Sequence, residues 1–203
     1  MALTNNVNGV GTYHMSDDPT NYEPARSGFF TFIVSDIDGI LKSTVDPTLG
    51  EYDSNDVINN AQEVIKLSVN ATSVPTFSLG QIDIKRGNST VHYAGTPTFN
   101  DGTLECEDYV GLRTKDVLLA WKALAYDVRN DLGGRASNYK KTCTLVEYTQ
   151  DYEEIRSWTL YGCWVKDTSE DNFDKSNGDT DRKITATIVY DRAIQNEPNK
   201  INN

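Results

Sequence analysis

The stretch from residue 69 to residue 108, VNATSVPTFSLGQIDIKRGNSTVHYAGTPTFNDGTLECED, constrains the fold of this chain more than any other. It reads as strand, proline-marked turn, long arm, glycine turn and strand. Pro75 cannot donate to a strand ladder and pushes Val74 towards an extended backbone. Ile82 and Ile84 alternate with Asp83 and Lys85, and Arg86-Gly87-Asn88 reads as a turn. Val91-His92-Tyr93 is a short extended piece that Gly95-Thr96-Pro97 breaks. Beyond it, Thr103, Glu105 and Glu107 fall on one strand face, and Leu104, Cys106 and Asp108 on the other. The middle of the stretch holds more apolar side chains than one small sheet needs, and an exposed surface of that kind seeks a partner.

Around this centre the chain reads as mainly β with one helix. Residues 1–26 are rich in Asn, Asp, Gly and Pro without a sustained period and predict an irregular arm. Phe29 to Val34 is an aromatic and β-branched strand, apolar on both faces. Residues 36–60 form a long loop. Glu63 to Ala71 is expected as a strand, with Glu63, Ile65, Leu67 and Val69 on one face. One helix is expected from about Asp116 to Arg129, with Thr114 as N-cap and Gly133-Gly134 at its end. Its core stripe is Val117, Leu118, Trp121, Leu124, Ala125 and Val128, at helical spacing. Three strands follow: Lys141 to Thr149, Glu154 to Val165 and Lys183 to Arg192. In the second, Trp158, Leu160, Gly162 and Trp164 are placed on one face. In the third, Ile184, Ala186, Ile188 and Tyr190 share a face. A hairpin at Asp151-Tyr152-Glu153 joins the first two. An acidic loop over 166–182 and a polar tail over 193–203 complete a single domain spanning 27–192. A lone amphipathic helix among strands covers a sheet or the end of a barrel.

Charge and motif content remove most chemistries. The net charge is −11, and residues 151–181 hold nine acids against three bases. No basic stripe is present, so tight binding to a phosphate backbone is not expected. The N-terminus lacks the pattern of a signal peptide, and no apolar run is long enough to span a membrane. Cys106, Cys143 and Cys163 lie far apart without a CxxC pair, and the only histidines are His14 and His92. A zinc site is therefore not expected, and reduced, half-buried thiols are. A bridge between subunits is the other reading the odd count permits. No phosphate-loop or dinucleotide fingerprint occurs. The segment DNFDKSNGDTD fails as a calcium loop. Setting Gly178 at the required turn position puts Phe173 where an oxygen ligand must stand. Glu105 and Glu107, at i and i+2 on a strand, are about 6.5–7 Å apart at the backbone. That spacing suits paired carboxylates, but nothing in the pattern supplies a walled pocket to desolvate one. No enzyme and no cofactor is expected.

The order of elements then becomes recognisable. Ala71-Thr72-Ser73-Val74-Pro75, Tyr93-Ala94-Gly95, Thr98-Phe99-Asn100-Asp101, a Trp-bearing helix ending in Gly133-Gly134, Tyr139-Lys140-Lys141 and Tyr161-Gly162-Cys163-Trp164 follow one another. This run resembles the tail tube proteins of contractile-tailed bacteriophages, over about Phe29 to Arg192. No one motif is specific to that family; their order and spacing are. The long N-terminal arm and the loop at 36–60 depart from it and inherit nothing from it.

The resemblance implies an antiparallel β-sandwich or barrel flanked by a single α-helix. Such subunits form hexameric rings with a continuous inner β-barrel, and the rings stack into a tube. The arm at 72–95 reaches the next ring, which gives Val74, Pro75, Phe77, Leu79, Ile82, Ile84 and Tyr93 a reason to be apolar away from their own core. Glu105 and Glu107 become candidate lumen-facing acids. The implied partners are further copies of the chain, a tail sheath outside, and a baseplate and tail terminator at the ends. A tape measure protein and then DNA occupy the lumen. The implied location is the virion, with assembly in the host cytoplasm. A ring protein of a type VI or other contractile injection system shares this fold, and a free-standing β-sandwich binding module is the reading from a different class.

Overall fold

A computed structural model describes residues 26–38, 61–109, 112–169 and 181–196. Most of the N-terminal arm, the loop at 36–60 beyond residue 38, the centre of the acidic loop and the tail from residue 197 lie outside the described residues. So does nearly all of the calcium-loop look-alike.

The elements in chain order are β1 (Phe30–Val34), α1 (Ala61–Ser68), β2 (Val69–Thr72), β3 (Phe77–Arg86), β4 (Ser89–Phe99) and β5 (Gly102–Glu107). Then come α2 (Thr114–Ala125), β6 (Tyr126–Asp127), β7 (Leu132–Gly133), α3 (Ala136–Tyr139), β8 (Lys141–Tyr148), β9 (Glu154–Thr168), β10 (Lys183–Val189) and β11 (Arg192–Asn196). The main sheet runs β1-β8-β9-β10-β5-β2, with β11 also on β9, and among the described residues β3 pairs only with β4. Every registered pair is antiparallel. The expectation of a mainly β, antiparallel protein holds, but the single flanking helix does not, because α1 and the short α3 are also present.

The first half of β9 lies between β8 and β11, and its last residues pair with β10. One strand therefore serves two sheets and turns the path into a curled sandwich. The bend is made at Gly162. Lys141 pairs with Cys163 but Cys143 with Leu160, so β9 carries an extra residue there, and Gly162 has φ +69°. A bulge at a left-handed glycine kinks the strand and reverses which parity faces inward. Trp158 and Leu160 are buried before it, and Cys163 and Val165 after it. The expected common face of Trp158, Leu160, Gly162 and Trp164 is therefore wrong. Trp164 points the other way and meets Tyr139 edge-on at 6.0 Å.

The segment from Glu63 to Ser68 is helical, not a strand. Val64 and Ile65 are both buried, which adjacent strand residues on opposite faces of a half-covered sheet would not be. Ala61, Val64, Ile65 and Ser68 form the buried stripe at helical spacing, and Leu67 is 59% exposed. Glu63 in the first turn and Lys66 in the last suit the helix dipole. The carboxylate of Asp38 accepts the Gln62 N–H at 3.0 Å, which satisfies an otherwise orphaned donor at the helix start.

Helix α2 is shorter than expected and starts earlier. Arg113, with φ 50°, precedes it and its side chain makes no cap hydrogen bond; the Asp108 carboxylate accepts the Lys115 N–H in the first turn at 3.4 Å. Thr114 is fully buried inside the helix, and its hydroxyl shares a 2.7 Å hydrogen bond with Ser68, tying α2 to α1. Val117, Leu118 and Trp121 are fully buried, and Leu124 packs partly buried against the core. Trp121 Nε1 donates to the Tyr139 carbonyl at 2.8 Å. The helix stops at Ala125, whose carbonyl accepts the Gly134 N–H at 2.9 Å. Val128 lies beyond that end and is 84% exposed, so it is not part of the stripe.

The core fills the space between α1, α2 and the inner sheet faces, with Ile65, Leu104, Leu118, Trp121, Ile184 and Val165 at its centre. Strand β10 shows why the sheet has a dry and a wet side: Ile184, Ala186 and Ile188 are buried, and Lys183 and Thr185 are exposed.

Candidate assembly surface

Strands β3 and β4 form a two-stranded ribbon of ten and eleven residues that stands off the body. Every residue from Thr76 to Ala94 is exposed. At about 3.3 Å per residue the ribbon is about 33 Å long. Its end is the turn at Gly87-Asn88, with Gly87 at φ +62°. Its base is held by Tyr190, whose hydroxyl donates to the Thr76 carbonyl at 3.4 Å and lies 3.3 Å from the Thr76 N–H. Phe99 packs against Tyr190 at 6.1 Å and against Phe77 at 5.7 Å. Asn100 donates its backbone N–H to the Thr76 carbonyl at 3.1 Å and its side-chain amide to the Thr76 hydroxyl at 3.1 Å.

The seven apolar residues singled out in the sequence lie in or beside this ribbon. Phe77, Leu79, Ile82, Ile84 and Tyr93 are between 43% and 57% exposed, Val74 is 47% exposed, and Pro75 is half-buried at the base. Among the described residues no further strand pairs with the ribbon, and these side chains are exposed in the isolated chain. The expected break at Gly95-Thr96-Pro97 is not one. Strand β4 continues through it, with a register shift between Leu79 and Gln81. The Gly80 and Gly95 backbones come so close there that a Cβ on Gly95 would sit 3.0 Å from the Gly80 carbonyl.

One side of the outer ribbon is polar and ordered. The Asp83 carboxylate accepts from His92 Nδ1–H at 2.6 Å and from Gln81 Nε2 at 2.7 Å. These bonds, that from His92 foremost, hold the Asp83 carboxyl below the usual carboxylate range.

Glu105 and Glu107 lie on the wet face of β5, opposite Thr185 and Lys183 of β10. Both are half-buried. Glu107 accepts from the Tyr109 hydroxyl at 2.6 Å and from Asn70 Nδ2 at 3.2 Å. Neither acid lines the cavity between β1, β5 and β8. That cavity is lined by Phe32, Leu145, Leu160, Ile188 and Tyr190 among others, and holds no acid, base or cysteine. Among the described residues no group of three or more His, Cys, Asp or Glu side chains is placed to hold a metal. No described helix is long and apolar enough to cross a membrane.

All three cysteines are fully buried rather than half-buried. Burial, aided by Glu105, pushes the Cys106 thiol up to about 12. Burial and the neighbouring Cys163 thiol push Cys143 well above its ordinary value. Buried thiols of this kind are inert and unavailable for a bridge from a chain in this fold.

No family model matches the chain. In sequence it is similar to the tail tube protein gp19 of Enterobacteria phage T4, 22% identical over 123 residues, which is 60% of this chain and 76% of that protein. The protein of the same name from Enterobacteria phage T6 matches with the same identity and coverage. In fold it is similar to a chain of the sheath–tube complex of the PVC extracellular contractile injection system in its extended state. The TM-score there is 0.59 at 14% identity, over 89% of this chain and 99% of that one. A chain of the tube-terminating cap of the anti-feeding prophage gives 0.55 at 13% identity, over 96% and 99%. In sequence the chain is similar to phage tail tube proteins, and in fold to chains of contractile injection systems.

Two features of this chain leave little or no distinct mark in its sequence. The anchoring of the ribbon base by Tyr190 is a contact across more than a hundred residues and leaves no local mark. The crossing of the ribbon at Gly80 and Gly95 does leave one, a glycine in each strand, which reads equally well as a break.

Proposed function

We propose that the chain is the repeating subunit of a hollow tail tube, forming hexameric rings that stack through the β3–β4 ribbon. The observation that carries this is the ribbon itself: about 33 Å of paired strand, apolar in two places and, among the described residues, held to its own body only at its base. A chain with the tail-tube fold and such an arm has a use for it in the next ring. Among the described residues the outer edges of β1, β2 and β11 have no strand partner; they offer backbone groups for pairing between neighbours, and ring closure removes the hazard of leaving them open.

In this reading Val74, Pro75, Phe77, Leu79, Ile82, Ile84 and Tyr93 make the inter-ring contact. The wet face of β5 and β10, with Glu105 and Glu107, lines the lumen. An acidic, hydrated lining repels phosphate and lets DNA pass without sticking. A sheath surrounds the tube, a baseplate and a terminator close its ends, and a tape measure protein and then DNA fill it. The similarity in fold to injection-system tubes supports a second reading, in which the same tube belongs to a contractile injection system and carries no genome.

Negative-stain microscopy of the purified chain tests the proposal. Long hollow tubes are the expected result. Isolated rings favour the injection-system reading, and monomers at all concentrations overturn both.

A further inference from the structure

The apolar side chains of the ribbon do not share one face. In its base half, Phe77 pairs with Phe99 and Leu79 with Pro97, all on one side, while Ser78 and Thr98 occupy the other. In its outer half, Ile82 pairs with Tyr93 and Ile84 with Val91 on the opposite side, while Asp83, His92 and Lys85 occupy the first. Each strand makes the switch by a different device. On β3 the apolar positions change from odd to even across Gly80. On β4 they stay odd, and the extra residue at Gly95-Thr96 carries them to the other face. A ribbon that only needed one wall to lean on would keep its apolar side chains on one face.

Size and charge say what lies against the two faces. Two strands about 4.8 Å apart and 33 Å long present about 330 Å² per face, well under the roughly 800 Å² per partner of a stable interface. Both faces together come near it. The ribbon from Phe77 to Phe99 holds one acid and two bases, with Lys85 and Arg86 at its tip, and the rest of the chain carries a net charge of −12. A body that acidic complements the tip, so further copies of this chain fit as the occupants.

We infer that each ribbon is clamped between two different copies of the chain, its base half gripping one through Phe77 and Leu79 and its outer half gripping another through Ile82 and Ile84. The inference rests on the tube reading and adds its stacking pattern: each subunit ties together two neighbours of the adjoining ring. Such a contact resists shear between neighbouring subunits as well as separation of rings.

Cross-linking tests it. Leu79→Cys, Ile84→Cys and the double variant are each labelled with a benzophenone maleimide. The native thiols are buried and do not compete. Each labelled protein is mixed as a small minority into excess unlabelled chain, assembled and irradiated. Both single variants are expected to give two-chain products, with cross-linked peptides from different surfaces. The double variant is expected to give a three-chain product as well. Tubes that form while the double variant stops at two chains, or while either single variant gives none, overturn the two-copy clamp and leave the tube reading standing. Absence of any assembly by microscopy in the same samples overturns both.

Discussion

On the proposed tube reading, replacing Ile82 with Asp is expected to impair assembly and to spare folding. Ile82 is 53% exposed in the isolated chain and stands opposite Tyr93 in the ribbon. Burying an isoleucine side chain fully stabilises by about 1.5–3 kcal/mol, so a contact that covers the exposed half contributes about 1 kcal/mol. A carboxylate forced into the same contact adds a desolvation cost of about 2 kcal/mol or more. Together these come to about 3 kcal/mol per subunit, which raises the concentration required for stacking roughly 100-fold. The folded body feels far less. One cross-strand pair is worth about 0.2–1 kcal/mol, a shift in melting temperature of about 2–4 °C at most for a chain of this size. Sedimentation across a concentration series gives the first quantity, and thermal melting by circular dichroism gives the second. A variant that assembles at the parental concentration refutes the contact. One whose melting temperature falls by about 10 °C refutes the separation of ribbon from body.

Thr114→Val leaves the buried Ser68 hydroxyl without its partner and is expected to cost about 1–3 kcal/mol in denaturant unfolding. Adding Ser68→Ala to it should restore part of that loss. The buried cysteines are expected to resist thiol reagents until the chain unfolds, and assembled tubes to dissociate alike with and without reductant. The Asp83 carboxyl is expected to titrate below the usual Asp range by NMR and to move back towards it in His92→Ala. Because folding lowers its value, its contribution is present above about pH 3.9 and is lost as pH falls through the lowered value.

What could be read from the sequence depended on whether one interaction or several chose the local structure. In β10 and β5 a single buried face sets the alternation, so Ile184, Ala186 and Ile188 and their partners Leu104 and Cys106 were legible before any coordinates. Residues 61–68 fit two periods. Glu63, Ile65 and Leu67 alternate like a strand, and Ala61, Val64, Ile65 and Ser68 repeat like a helix. Short apolar runs do not separate the two. The choice was made from outside, by the Asp38 carboxylate at one end and the Thr114 hydroxyl near the other. Val128 extends a helical stripe on paper, but the helix is closed at Ala125 by the Gly134 N–H, nine residues on. Gly162 and Gly95 mislead in the same way: a glycine in a strand marks a bulge or an end, and only the register of the facing strand distinguishes them.

That same register separates the two candidate lumen acids. Glu107 stands opposite Lys183 and also accepts hydrogen bonds from Tyr109 and Asn70, so its charge is offset and shared locally. Glu105 stands between Thr185 on one side and Ala71 on the other, neither of them charged. Of the two, Glu105 therefore projects the stronger negative potential from the wet sheet face, and in the proposed ring, symmetry would repeat it around the wall. On the lumen reading, Glu105→Lys leaves tubes intact and slows DNA passage more than Glu107→Lys does, because only the former converts an uncompensated acid into a phosphate-binding base. Ejection kinetics from particles carrying each variant measure this. Equal effects of the two substitutions, or none, remove this face from the lumen and place it against a neighbouring subunit, where Lys183 and Thr185 would be the next residues to probe.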